Sequence, residues 1–308
     1  MNSTRRMGIT LALATAGVSG LAIFLNSNGV KAYGSAAVYT TAKNLVSALV
    51  LVGMVALVVR GGTRLTRPSG ARQWVVLSAV AVIGGSVPFV LFFEGLARAT
   101  ATQAAFLHKS LVIWVAILAI IFLRERLTWI HGAAIGLLVV GQVGLNGGVA
   151  GFLGVFSDPG ALMVLGATLM WSVEVVVSKR LLREVSPWTL SLTRMVGGSV
   201  VLIAWATANG SIGKVVPQTA IQWGWVLLTG VLLAGYVATW HHALARAQAV
   251  DVTAVLVAGA LVTAVFAGAF RGVSLASDLG WYGAIAAGAG LLVWEMGRRR
   301  PLAAAALV

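Results

Sequence analysis

The chain has no cysteine among its 308 residues. That excludes disulfides, thiolate metal sites and cysteine nucleophiles. Acids are scarce, with 8 Asp and Glu against 22 Lys and Arg. Charged residues of both signs make up only 10% of the chain, and 59% is hydrophobic. A globular domain averages about 25% charged residues, so a soluble fold could not cover this much apolar surface. No HExxH motif and no paired intramembrane aspartates occur, and there is no GxxxxGK[ST] phosphate loop. The chain therefore carries no signature of a metalloenzyme or an ATPase. Proline is rare as well: of six, only Pro88 falls inside a long apolar run. Pro68, Pro159, Pro187, Pro217 and Pro301 lie at or between run ends, where a missing N–H costs little.

What remains is a series of apolar runs. A membrane helix needs about 20 mostly apolar residues. Ten runs meet that need, at about 7–25, 36–59, 74–97, 100–123, 129–150, 159–181, 188–208, 221–245, 251–270 and 280–296. Arg5 and Arg6 precede the first run in the manner of a signal peptide. That run is long enough to span and many more follow, so it is expected to be a retained helix. The connections are short and leave no room for a soluble domain. The expected fold class is an all-α polytopic membrane protein with ten transmembrane helices.

The net charge of +14 suggests nucleic acid at first sight. The basic residues, however, sit in short clusters between runs, so they mark topology and not a nucleic-acid surface. With the N-terminus inside, fifteen Lys and Arg fall in cytoplasmic segments, from Arg5 to Arg300. Four fall outside, namely Lys31, Arg98, Lys214 and Arg271, and Lys43, Lys109 and Arg194 lie within spans. This asymmetry predicts that both termini are cytoplasmic. Trp74, Trp129, Trp188, Trp223, Trp225 and Trp281 sit near span ends, where an indole anchors in the interface.

The chain is also doubled. Leu96-Ala97-Arg98-Ala99-Thr100 returns as Leu244-Ala245-Arg246-Ala247-Gln248, 148 residues later. Charge counting puts Arg98 outside and Arg246 inside. The halves, 1–150 and 151–308, are then inverted five-helix repeats, an arrangement that recurs in secondary transporters.

Two segments, FEGLARATATQAAFLHKSLVIWVAILAIIFLRERL (93–127) and HHALARAQAVDVTAVLVAGALVTAVFAGAFRGVS (241–274), share a turn with arginine, a small-residue helix and a short charged turn. They resemble the drug/metabolite transporter superfamily, specifically its ten-helix EamA-type exporters, with the aromatic amino-acid exporter branch as the candidate branch. The first half carries the family's Glu125-Arg126 pair; the second reads Phe270-Arg271-Gly272-Val273-Ser274 and lacks it. A shift of 151 aligns Lys43 with Arg194, where the family often has a basic residue. The resemblance implies a secondary transporter that moves metabolites without ATP and is not an enzyme. The expected location is the bacterial inner membrane. The expected partners are the lipid bilayer and a small solute, foremost an amino acid. Drugs, organic cations or other metabolites are the alternative solutes. A passive channel and a membrane-embedded enzyme are the competing classes. No cofactor or metal is expected, and the oligomeric state stays open.

A solute site is expected near the midplane between the repeats. Deep aromatics (Tyr39, Trp114, Trp171, Tyr236 and Trp240) could stack on an apolar part of the solute, and His108 and Lys109 could meet a carboxylate. Gly84, Gly85 and Pro88 loosen the third run and form a candidate hinge, or else a turn that could offer carbonyls to a solute. Ionisable groups in spans are costly and need a partner. Glu174 and Arg194 differ in depth by about 4 Å at 1.5 Å rise per residue, so they form a candidate ion pair or gate. Glu94 and Lys109 differ by about 7 Å, which long side chains could partly close. Lys43, beside Asn44, is a further gating or pairing candidate. His241 and His242 point about 100° apart on a helix, which argues against a two-His metal site.

Overall fold

The computed structural model describes residues 3–99, 101–154, 157–272 and 274–298. Thr100, Val273, Arg299 and Arg300, on which the repeat and charge readings draw, lie outside the described residues. All regular elements among the described residues are helical. They are α1 (Ser3–Tyr33), α2 (Ala36–Arg60), α3 (Gly70–Gly85), α4 (Val87–Arg98), α5 (Ala101–Lys109), α6 (Leu111–Leu118), α7 (Trp129–Leu145), α8 (Gly148–Gly154), α9 (Pro159–Leu181), α10 (Pro187–Leu192), α11 (Gly198–Ala208), α12 (Ala220–Arg246), α13 (Ala249–Val257), α14 (Gly259–Arg271) and α15 (Leu279–Arg298). Among the described residues, eight helical stretches are long and apolar enough to cross a membrane, and α7 is a shorter apolar helix. α15 adds 20 residues at the place of the tenth run. The protein is an all-helical polytopic membrane protein.

Local chemistry explains the helix starts. Ser35, Asp158 and Thr219 accept backbone N–H groups at the beginnings of α2, α9 and α12. Pro159 and Pro187 occupy first turns, where an N–H would have no partner anyway. The apolar outer surface, with Leu57, Val75, Trp129, Ile221 and Phe270 strongly exposed, suits lipid and not water.

Lipid provides no hydrophobic force between helices, so close backbone approach through small residues carries much of the packing. A Cβ on Gly95 would stand 2.6 Å from the Gly160 carbonyl, where α4 meets α9. A Cβ on Gly20 would stand 2.3 Å from the Gly259 carbonyl, where α1 meets α14. The main pairings exchange between halves: α1 packs along α12, α4 along α9, and α7 along α15.

Four of the ten sequence runs are broken, the fifth run at Asn146 and Gly147, between α7 and α8. The fourth and ninth break at Ser110 and Ala258, between α5 and α6 and between α13 and α14. These positions match under the same 148-residue shift as the arginine turns. The third run breaks at Ser86, between α3 and α4, while α12, its counterpart, stays continuous. Pro88 then stands in the first turn of α4 instead of inside a kinked helix. The first run is longer than its apolar stretch suggests, because α1 continues through Asn26, Ser27 and Asn28.

Candidate functional site

The break at Ser86 organises the middle of the bundle. Pro88 cannot donate to the Gly84 carbonyl, and the Phe89 N–H bonds to Ser86 instead of Gly85. Two backbone carbonyls are thereby released inside lipid-depth protein, where each needs a donor. Trp171 Nε1 donates to Gly84 O at 3.2 Å, and Asn44 Nδ2 donates to Gly85 O at 3.2 Å. The two glycines leave no space to spare: a Cβ on Gly85 would stand 2.0 Å from the Arg194 carbonyl. The carbonyls of Gly84 and Gly85 that the loosened turn could have offered to a solute are thus already bonded within the protein. The segment is a docking point for α2, α9 and the π-helical turn Thr193–Gly197, and its carbonyls are taken.

Beside this point lies a cavity lined from both halves. α1 contributes Ser19, Ala22, Ile23 and Asn26; α2 contributes Lys43; α4 contributes Phe89, Phe92 and Phe93; α5 and α6 contribute His108 and Leu111. The second half adds Trp171, Glu174 and Val175 from α9, Arg194 from the π turn, and Thr229, Leu233, Tyr236 and Trp240 from α12. The aromatic lining falls into two groups. His108 stands 5.2 Å from both Phe92 and Trp171, ring centre to ring centre, and Tyr236 stacks on Trp240 at 5.9 Å. His108 Nδ1 has no hydrogen-bond partner among the described residues.

Seven of the residues singled out in the sequence meet at this cavity: His108, Trp171, Tyr236, Trp240, Lys43, Glu174 and Arg194. Arg194 Nε lies 3.5 Å from Glu174 Oε1, while Ser178 Oγ donates to the same oxygen at 2.6 Å. His241 Nε2 lies 3.7 Å from it, and Ser191 Oγ stands 2.8 Å from His241 Nδ1.

The other expected residues stand elsewhere. Tyr39 lies behind the lining, its Oη 2.7 Å from Asn26 Oδ1 and 2.8 Å from Thr229 Oγ1. Trp114 turns away and donates to Ser110 Oγ one helical turn earlier, at 3.2 Å. Lys109 points to the seam with α13, its Nζ 3.5 Å from the Leu256 carbonyl. Glu94 does not approach Lys109; it pairs with Arg98 at an exposed helix end. Lys43 has no carboxylate within ion-pair distance among the described residues. Its Nζ lies over the Phe93 ring at 4.0 Å and 3.4 Å from Asn26 Oδ1. His242 packs on Trp188, apart from His241, and no group of three metal-ligating side chains occurs among the described residues.

Two sets of residues were not anticipated. Phe89, Phe92 and Phe93 share one helix face by their i, i+3, i+4 spacing, a signal present in the sequence. The second set lies at the bundle end that carries Arg246. Glu125 accepts the Ala249 N–H at 2.8 Å and the Val250 N–H at 3.3 Å, capping α13. Lys179 donates to the Leu244 carbonyl at 2.5 Å and the Ala247 carbonyl at 2.6 Å, capping α12. His131 Nε2 and Asp251 Oδ1 stand 2.9 Å apart nearby. Burial holds the Glu125 carboxyl above the usual carboxylate range, against the opposing pull of the two backbone donors and Lys179.

Comparison with known proteins agrees with this architecture. An uncharacterized transporter of Archaeoglobus fulgidus is 26% identical over 208 residues, covering 66% of this chain and 70% of that protein. A crystal structure of another protein superposes over 94% of this chain and 98% of its own, with a TM-score of 0.71 at 16% identity, a likeness of fold alone. The profile of the EamA-like transporter family matches twice, over residues 6–147 and 158–294. The matches together cover most of the sequence, and the chain belongs to the EamA-like transporter family.

Proposed function

We propose that the protein is a secondary transporter that exports amino acids, aromatic ones among them, by alternating access. The observation that carries this reading is the cavity lined from both halves, which combines an aromatic wall with basic side chains. In this mechanism the two inverted repeats, 1–150 and 151–308, rock against each other around the bound solute. The exchange of α1 onto α12 and of α4 onto α9 supports such a relation between the halves. Family membership and the excess of Lys and Arg in alternate connections support a bacterial inner-membrane protein with both termini cytoplasmic. Two basic residues and a single, internally engaged acid at the cavity argue against organic cations as solutes.

The test is flux of a labelled amino-acid panel into liposomes containing the purified protein, with and without a pH gradient. Saturable flux with counterflow is expected for at least one aromatic amino acid. Flux of no amino acid rejects the substrate class, and conductance far above carrier turnover rejects alternating access. Alanine at His108 is expected to lower flux with unchanged folding, whereas alanine at Trp114, which lies off the cavity, leaves flux near wild type.

A further inference from the structure

The acid and bases of the cavity are not balanced. Glu174 is engaged inside the protein, by Ser178 at 2.6 Å, Arg194 at 3.5 Å and His241 at 3.7 Å. All three contacts fall on Oε1, so the acid is already paired with a base of its own half before a solute arrives. The two bases are differently placed. Lys43 is 2% exposed, and its ammonium has three donors to satisfy. Its only hydrogen bond among the described residues is the long one to Asn26, at 3.4 Å. Aromatic faces supply the rest of its surroundings: Phe93 at 4.0 Å, Tyr39 at 5.4 Å and Phe89 at 5.5 Å. Arg194 is 3% exposed; its Nε faces Glu174 at 3.5 Å without a hydrogen bond, and its Nη1 has no hydrogen-bond partner among the described residues. Its guanidinium carbon stands 5.8 Å from the same Phe89 ring that Lys43 approaches. Buried donors in protein are nearly always satisfied, so unfilled ones at a cavity wall mark a place for an acceptor.

The repeat adds a second argument. Lys43 and Arg194 align under the 151-residue shift, so each half contributes one cation, and both reach the same ring. An arrangement shared between halves is what a site at the repeat interface requires.

We propose that Lys43 and Arg194 form a carboxylate subsite on the Phe89 side of the cavity, and that recognition runs through the solute's carboxylate and aromatic part, not its amino group. The inference rests on the cavity being the solute site. It extends the substrate class to aromatic monocarboxylates that lack an amino group. Arg194 presents planar donors suited to a carboxylate, and Lys43 acts as a point charge beside it.

The probes are L-phenylalanine, 3-phenylpropionate and phenethylamine, which share a ring and differ in charged groups. Binding to the purified full chain is read from tryptophan fluorescence, since Trp171 and Trp240 line the cavity, and uptake is measured in liposomes. The two carboxylates are expected to bind within about threefold of each other, and phenethylamine at least about tenfold more weakly, the worth of one charge-assisted hydrogen bond. Lys43→Met should weaken both carboxylates by about tenfold and leave phenethylamine unchanged. Lys43→Arg should keep the wild-type order, which separates a charge role from a packing role if Lys43→Met fails to fold. Phenethylamine binding as tightly as 3-phenylpropionate overturns the subsite, as does a folded Lys43→Met with the order intact. Transport of phenylalanine that is insensitive to Lys43→Met overturns the subsite and leaves the exporter reading standing. Binding of 3-phenylpropionate that depends on Lys43, with phenylalanine refused, does the reverse. Binding of none of the three overturns both.

Discussion

The turn at Leu96–Ala99 and the turn at Leu244–Ala247 share the sequence Leu-Ala-Arg-Ala and the same local structure. Arg98 Nη1 donates to the Glu94 carbonyl at 2.8 Å, and Arg246 Nη1 donates to the His242 carbonyl, also at 2.8 Å. Each turn packs against the start of a helix from the other half: Gly160 lies against Arg98, and Gly8 against Arg246. They differ in what ties them down. Lys179 and Glu125 hold the second turn from both sides, one on the carbonyls of α12 and one on the N–H groups of α13. Among the described residues, the first turn has no side-chain hydrogen bond from another helix; Arg98 pairs with Glu94 on its own helix. The cause can be traced in the sequence. Position 273, which matches Glu125, is valine, so the second half has no acid to return the favour. Among the described residues, the end bearing Arg246 is clamped from both sides and the end bearing Arg98 is not.

The strongest way to break this difference is Lys179→Met. It removes two charge-assisted hydrogen bonds and leaves two helix-end carbonyls without donors, a loss of about 2 kcal/mol. The expected result is a lower melting midpoint in detergent and faster amide exchange at Ala249 and Val250. Wild-type exchange there, in a folded variant, would mean that the clamp does not hold the turn. Glu125→Ala comes next, at about 1 to 2 kcal/mol, the usual worth of a helix N-cap.

A pH series sharpens the same comparison. Because the Glu125 carboxyl titrates above the usual range, its protonated form is the one favoured by folding. Its contribution to stability is then fully present below the ordinary carboxylate value, about 4.3, and declines as pH rises through the raised value. Glu125→Gln, which cannot titrate, should differ least from wild type in acid, with the difference growing toward neutrality. A constant difference at all pH values would refute a raised carboxyl. The smallest effect belongs to Arg98→Ala, below about 0.5 kcal/mol, because exposed pairs one turn apart contribute little. A loss as large as that of Lys179→Met would mean that the first turn is held by something equivalent to the clamp.

Much of this fold was legible before the structure, and the reasons are specific. Runs of about 20 apolar residues have few places to go but lipid. The repeated Leu-Ala-Arg-Ala stretches put the halves in register, and the breaks at Ser110 and Ala258 follow that register. Depth could be read by counting residues from a turn. Glu174 and Arg194, matched in depth, stand 3.5 Å apart, while Glu94 and Lys109, mismatched by about 7 Å, do not meet. Facing could not be read in this way. Trp114 and Trp171 look alike in sequence, each deep in an apolar run, yet only Trp171 reaches the cavity. A helix that is apolar on all sides has no amphipathic stripe to show which side meets protein.

The sequence by itself therefore determined the membrane environment, the two successive family segments and the order of polar groups along each run. Hydrophobic length and spacing along the chain encode all three. Only the tertiary structure decided which groups meet across the bundle: Glu125 with the start of α13 across 124 residues, Trp171 with the carbonyl that Pro88 releases, and Lys43 with the face of Phe93. Those meetings depend on helix rotation about the axis. Close packing of small residues such as Gly85 against the Arg194 carbonyl sets that rotation, and nothing in the linear pattern records it.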